Sequence, residues 1–208
     1  PEDTFPILTA YTSSDSLAWL ADWVPEGTSG SSCVLINSDY AGGLALTVYI
    51  DGQPLTADPA AVRVAGPQPR GLDDRQIAGL VGQAIDTWAA SGLTAAQWAR
   101  LQTVQWQITD LPAGRLGTAS GSTVFLDRDA DGLGWFVDPT PSTAEEFSPF
   151  SPTSLRALDS GPAAGRVDLL TVLSHELGHI LGLGDLEASN SPATLMTATL
   201  GPGERRIL

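Results

Sequence analysis

Residues 168–185, DLLTVLSHELGHILGLGD, contain both histidines of this 208-residue chain, His175 and His179. Apolar residues dominate the stretch, a pattern typical of a helix buried on nearly all sides, and we predict a helix over 168–182. Residues four positions apart share a helix face, so the two imidazoles can bind one Zn²⁺ together. Glu176 follows the first histidine and can reach a metal-bound water without being a ligand, which makes it the candidate general base.

A catalytic zinc site needs a third protein ligand and leaves its fourth position open. Gly182 can end the helix with a positive φ, after which the chain can turn back and bring Asp185 to the metal. The whole pattern, H-E-x-x-H-x-x-G-x-x-D, runs from His175 to Asp185. We therefore predict that His175, His179 and Asp185 are the zinc ligands.

This pattern resembles the zinc signature of the metzincin clan of metallopeptidases, which includes the matrixins, in the aspartate form of its snapalysin-like branch. Met196, the only methionine of the chain, is placed like the Met-turn of that clan. The resemblance covers roughly residues 70–208 and implies a zinc endopeptidase that acts on protein or peptide substrates. Two positions differ from the usual clan pattern: Asp185 replaces a histidine, and Ala198 stands where some metzincins have a tyrosine.

The other patterns of the chain predict an α+β fold. An amphipathic helix is expected over 72–92, a shorter one over 94–101, and strands over 104–111 and 122–127. Residues 139–165 are rich in Pro, Ser and Thr, which favours a long surface loop. The resemblance implies a twisted mixed sheet, a long N-terminal helix and an active-site helix.

Residues 1–66 are expected to form a small β-rich N-terminal region, whose role no motif indicates. Residues 15–24 could form a short helix, and Asp51-Gly52 is a hairpin signal at the end of an apolar run. The Pro- and Gly-rich segment 65–71 is the best candidate boundary before a peptidase domain at 70–208.

An acidic segment, DRDADGLGWFVD (127–138), has the spacing of a calcium loop. Aspartates occupy loop positions 1, 3, 5 and 12 and glycine occupies position 6, an arrangement in which short carboxylates converge on Ca²⁺. The pattern fits a structural calcium site and a solvated acidic turn equally well. The carboxylates concerned are Asp127, Asp129, Asp131 and Asp138. By resemblance, 132–137 is a candidate substrate-pairing strand, although Trp135 and Phe136 fit a core better than an exposed strand.

Composition excludes several functions. Acidic residues outnumber basic ones 24 to 10, giving a net charge of −14, which argues against nucleic-acid binding. No apolar run reaches the roughly 18–20 residues that span a bilayer. The first residues, PEDTFP, lack the basic and apolar regions of a signal peptide, so we expect none in this chain. The chain is expected to be the mature form, or an excerpt, of a secreted or cell-surface protein, and nothing indicates its oligomeric state.

The lone Cys33 excludes an intrachain disulfide and a cysteine-based zinc cluster. Its thiol is either a small buried hydrophobe or an inhibitory zinc ligand, and the flanking residues favour the first.

The sequence leaves three functions open. The first is a zinc endopeptidase with Glu176 as general base. The second is an inactive, metal-stabilised module of a larger secreted or surface protein, and the third is a self-processing peptidase of narrow specificity.

Overall fold

A computed structural model describes residues 33–38, 44–49, 54–61, 71–186 and 193–208. The chain divides into two compact units, Pro1–Ile50 and Asp51–Leu208. In the first unit, strand β1 (Cys33–Ser38) pairs antiparallel with strand β2 (Leu44–Tyr49). Three expectations fall outside the described residues and side chains: the helix over 15–24, the turn at Asp51-Gly52 and the role of the Cys33 thiol.

The second unit is built from ten strands and three helices within the described residues. In chain order they are β3 (Leu55–Ala57), α1 (Asp74–Ala89), α2 (Ala95–Leu101), β4 (Gln105–Thr109), β5 (Arg115–Ser120), β6 (Thr123–Asp127), β7 (Trp135–Phe136), β8 (Phe147–Ser151), β9 (Ser154–Ala157), β10 (Val167–Asp168), α3 (Leu169–Ile180), β11 (Thr199–Leu200) and β12 (Glu204–Arg206). Strand β3 lies before the boundary expected at 65–71, yet it belongs to this unit. Its Leu55 is fully buried there, and this burial was not apparent from the local pattern.

The main sheet is mixed, and the fold class is α+β as expected. Its strand order is β11-β3-β5-β6-β4. The two outer pairs are parallel, whereas the inner pairs, β3 with β5 and β5 with β6, are antiparallel. A second, antiparallel sheet has the order β12-β9-β8, and the short strands β7 and β10 pair in parallel.

The prediction of a surface loop over 139–165 was wrong in part, because this segment contains strands β8 and β9. Strand β8, FSPFS, carries a proline and three exposed residues, so its sequence lacks the apolar alternation that signals a strand. Its position at the edge of the sheet tolerates the proline, because an edge strand needs only one side of its backbone paired. Pairing with β9, which in turn pairs with β12 near the end of the chain, makes this segment a strand.

Helix α1 has the capping and apolar face that its sequence predicts. Asp73 accepts hydrogen bonds from the N–H groups of Arg75 and Gln76, and the Gln76 side chain accepts one from the Asp73 N–H. This capping box satisfies N–H groups that the first helical turn leaves without partners. Its buried side chains are Ile77, Leu80, Ala84 and Trp88.

Helix α3 lies in the core, and every residue from Leu169 to Gly178 is buried. It packs against α1 and against strand β5. The buried Trp88 indole N–H of α1 donates to the Ser174 carbonyl of α3 over 2.7 Å, which fixes the two helices relative to each other. No described helix combines the length and the apolar character needed to cross a membrane.

Candidate metal centre

Helix α3 places its two histidines side by side. His175 is fully buried and His179 is partly buried one turn later, with ring centroids 4.7 Å apart and planes at 83°. Their Nε2 atoms are 3.0 Å apart. The four-residue spacing on a helix therefore brings the two nitrogens close together on one face of the helix, as expected.

The end of α3 turns the chain back toward these nitrogens. The Leu183 N–H donates to the Gly178 carbonyl over 3.0 Å and the Gly182 N–H donates to the His179 carbonyl over 2.9 Å, which is the Schellman arrangement. Gly182 has a φ of +94°, a conformation that suits glycine. After this turn, Asp185 Oδ1 lies 3.1 Å from His175 Nε2 and 3.3 Å from His179 Nε2.

Backbone carbonyls orient both imidazoles. His175 Nδ1 lies 2.8 Å from the Leu195 carbonyl, and His179 Nδ1 lies 2.9 Å from the Leu183 carbonyl. A carbonyl only accepts, so each neutral ring carries its proton on Nδ1 and presents the Nε2 lone pair to the other ring. Two lone pairs and a carboxylate oxygen then face one another, an arrangement that a cation between them stabilises.

The separations of these three atoms fit a tetrahedral metal. Two ligand atoms bonded to zinc at about 2.0–2.1 Å are about 3.3 Å apart in a tetrahedron. The three separations here are 3.0, 3.1 and 3.3 Å. The donor set, two imidazoles and one carboxylate, also suits a divalent transition metal. Among the described residues, His175, Glu176 and His179 form the group that could hold a metal ion, and Asp185 lies against the same two nitrogens.

The charges of the three candidate ligand residues, His175, His179 and Asp185, depend on one another. Burial alone raises the pKa of Asp185, but the two histidines, which can donate from Nε2 when the rings are protonated, outweigh it and lower that pKa to about 2. Burial alone lowers the pKa of His179, but Asp185 and Glu176 outweigh it and raise that pKa. Negative charge around the imidazoles thus favours a positive charge at this point, whether a proton or a metal ion carries it.

Glu176 lies next to the ligand atoms but makes no hydrogen bond of good geometry. It is fully buried, and neither carboxylate oxygen has a partner within the described residues. Burial raises its pKa to about 7, although the two histidines and the nearby Leu55 N–H lower it. A carboxylate without a structural partner and with a pKa near neutrality suits proton transfer.

Met196 packs against helix α3 at Gly178, the residue before His179. It is buried, and a Cβ added to Gly178 would overlap its Sδ and would lie 2.9 Å from Trp88 Cζ2. Glycine at 178 therefore lets Met196 and Trp88 approach the helix between the two histidines. The residue before the methionine, Leu195, supplies the carbonyl that orients His175.

The four aspartates of the calcium-loop pattern do not come together. Asp138 lies 2.8 Å from Arg205 Nη1 and accepts the Thr140 N–H, so loop position 12 is part of another cluster. The carboxylate of Asp127 accepts N–H groups of the loop and of Leu111. Burial raises the pKa of Asp127, and these N–H groups oppose the rise.

Asp129 also accepts an N–H group of the loop, that of Gly132, over 2.8 Å. Asp131 has a φ of +55° in the same turn. The pattern thus forms a self-capped turn, and no group among the described carboxylates of this segment has the closeness of a metal site. Trp135 and Phe136, within the segment considered for substrate pairing, are buried in β7 and pair with β10.

Several residues of this centre were not found from the sequence. The carbonyls of Leu183 and Leu195 act through the backbone, which no side-chain pattern reveals. Gly117 of β5 lies against Glu176, and Arg206 of β12 binds the carbonyl of Thr197 near Leu195; both contacts arise only in the tertiary fold. Comparisons of this chain with protein-family models, with curated proteins and with solved structures found no match.

Proposed function

We propose that this chain is a zinc-dependent endopeptidase of the metzincin type. The observation that carries the proposal is the convergence of His175 Nε2, His179 Nε2 and Asp185 Oδ1 within 3.0–3.3 Å, beside a buried Glu176 without a structural partner. The helix order, the glycine turn at Gly182 and the position of Met196 support it further.

The proposed mechanism assigns one task to each residue. His175, His179 and Asp185 would hold the ion. Zinc, when bound, supplies Lewis-acid chemistry that polarises a peptide carbonyl and acidifies a water molecule. Glu176 takes a proton from the attacking water and delivers it to the amine of the leaving peptide. Its burial keeps the carboxylate basic enough for the first transfer.

Metal dependence tests the proposal directly. The zinc-loaded chain is expected to cut a reduced and alkylated protein substrate, to lose this activity on treatment with a chelator, and to regain it when zinc is restored. Peptide fragments are followed by mass spectrometry, which also detects self-cleavage of the chain. A chain that holds zinc and leaves both the substrate and itself intact would favour the inactive module. Fragments of the chain itself, with the added substrate left intact, would favour the self-processing enzyme.

Gly117→Ala is expected to lower kcat by up to about 100-fold, because misplacement of a catalytic group by about 1 Å has effects of this size. A Cβ at position 117 would lie 2.9 Å from Glu176 Oε1 and 3.1 Å from Val172 Cγ1, so Glu176 must move. Zinc content and KM should stay unchanged, since the ligands are not touched. Steady-state kinetics at matched zinc content measures the change.

Gly79→Ala is the matched control for this variant. Gly79 lies in α1, and an added Cβ there meets nothing within 4 Å. The control should retain full activity and gain about 1 kcal/mol of stability, because alanine favours a helix over glycine. Full kcat in Gly117→Ala would show that Glu176 does not depend on the space at position 117.

A further inference from the structure

The segment Leu195–Thr199, here called the support segment, contacts the candidate ligand His175 directly. It also contacts Leu186, the residue that follows the candidate ligand Asp185. Its first carbonyl, that of Leu195, orients His175. The Met196 carbonyl accepts the Leu186 N–H over 2.8 Å, and the Ala198 N–H donates to the Leu186 carbonyl over 3.1 Å. Leu186 directly follows Asp185, so the position of this segment determines where two ligands lie.

The support segment is held from two sides. On one side, the N–H and the hydroxyl of Thr56 in β3 both donate to the Ala198 carbonyl, over 2.9 and 3.1 Å. On the other side, the Arg206 guanidinium donates from Nη1 to the Thr197 carbonyl over 2.7 Å, and from Nη2 to the Thr199 carbonyl. Arg206 thus spans the two carbonyls that flank Ala198.

Arg206 is itself firmly placed. Its side chain is buried, its Nε donates to Glu204 Oε1 over 3.0 Å, and its backbone N–H donates to the Thr171 hydroxyl of α3 over 3.0 Å. A planar guanidinium with several donors can bond two carbonyls and a carboxylate at once, whereas a lysine ammonium cannot match this geometry. Arg206 therefore links the zinc-site helix to the support segment.

We propose that Arg206 is a positioning residue of the metal centre, which sets metal affinity by holding the support segment against His175 and Asp185. The inference rests on the metal site of the proposed function, but not on its peptidase activity. Groups that orient metal ligands through hydrogen bonds typically change metal affinity by about 10–100-fold when they are replaced. Arg206 acts one step further out, so we expect about a tenfold effect.

The test measures the Zn²⁺ Kd by competition with a chromophoric chelator, for the unmutated chain, Arg206→Lys and Arg206→Gln. Lysine keeps the positive charge beside Glu204 and so preserves the fold best. Both variants should bind Zn²⁺ about tenfold more weakly. The visible absorption of bound Co²⁺, which reports tetrahedral geometry, should lose intensity. Circular dichroism establishes that each variant is folded at the temperature of measurement.

Arg205→Lys is the control for lost stability. Arg205 is also buried and adjacent, but its polar contacts are with Asp138, Asp168 and the Thr143 carbonyl, none of which is in the support segment. This control should destabilise the chain and keep the Kd for Zn²⁺. An unchanged Kd in Arg206→Lys and Arg206→Gln, or an equal loss in Arg205→Lys, would overturn the inference.

The two proposals fail in distinguishable ways. If the unmutated chain binds zinc and the Arg206 variants bind it more weakly, but no peptide is cut, the inference stands and the peptidase proposal falls. If the unmutated chain binds no Zn²⁺, both fall.

Discussion

Glu176→Gln is expected to lower the rate of peptide hydrolysis by about 10²–10⁴-fold while the zinc content stays unchanged, the range typical for loss of a general acid–base group. Glutamine has nearly the same shape but accepts no proton from water. Neither Glu176 oxygen makes a hydrogen bond of good geometry among the described residues, and the glutamine carbonyl can still face the nearby Leu55 N–H, so the substitution should leave the fold intact. The measurement is kcat at matched zinc content, with the metal quantified by atomic absorption.

Glu145→Gln is the matched control, since Glu145 is exposed and lies outside the metal centre. It should cut the substrate at the rate of the unmutated chain. Equal rates in Glu176→Gln and the unmutated chain would rule out Glu176 as the base. They would also point to a contaminating peptidase. Its activity would persist in a variant that lacks a candidate zinc ligand, such as His175→Ala.

Arg205→Met is expected to destabilise the chain by about 3–5 kcal/mol, because it leaves two buried carboxylates without their counter-charge. Arg205 lies 2.8 Å from Asp138 and 2.7 Å from Asp168, and its Cζ lies 4.3 Å from the centre of the Phe147 ring. Burial alone lowers the pKa of Arg205, but the two aspartates outweigh it and raise that pKa. The guanidinium therefore remains charged in the core.

Part of the lost stability should come from the first turn of α3, because Asp168 caps this helix by accepting the N–H and the hydroxyl of Thr171. Urea unfolding followed by tryptophan fluorescence measures the free energy of unfolding. The exposed Arg100→Met is the control, with a change expected within about 0.5 kcal/mol. A loss below about 1 kcal/mol in Arg205→Met would mean that the cluster contributes little more than a surface ion pair.

Local patterns predicted the helices well. The spacing of Ile77, Leu80, Ala84 and Trp88 predicts the buried face of α1, and the structure confirms it. Helix formation depends on contacts between residues three or four apart, which the sequence shows directly. The edge strand β8 was missed for the opposite reason, because its pairing depends on β9 and through it on the distant β12.

The amino-acid sequence was enough to place the two imidazoles side by side, to put Glu176 next to them and to predict the turn at Gly182, because these features follow from helix geometry and from the φ available to glycine. The groups that surround them are set by contacts between distant parts of the chain. Asp138 fits a calcium loop by its spacing, yet the distant Arg205 takes it into a buried ion cluster. The carbonyl that orients His175 is placed by the support segment, and Arg206 holds that segment. Such contacts join elements far apart in the chain through backbone atoms and buried charges, and no local spacing contains that information.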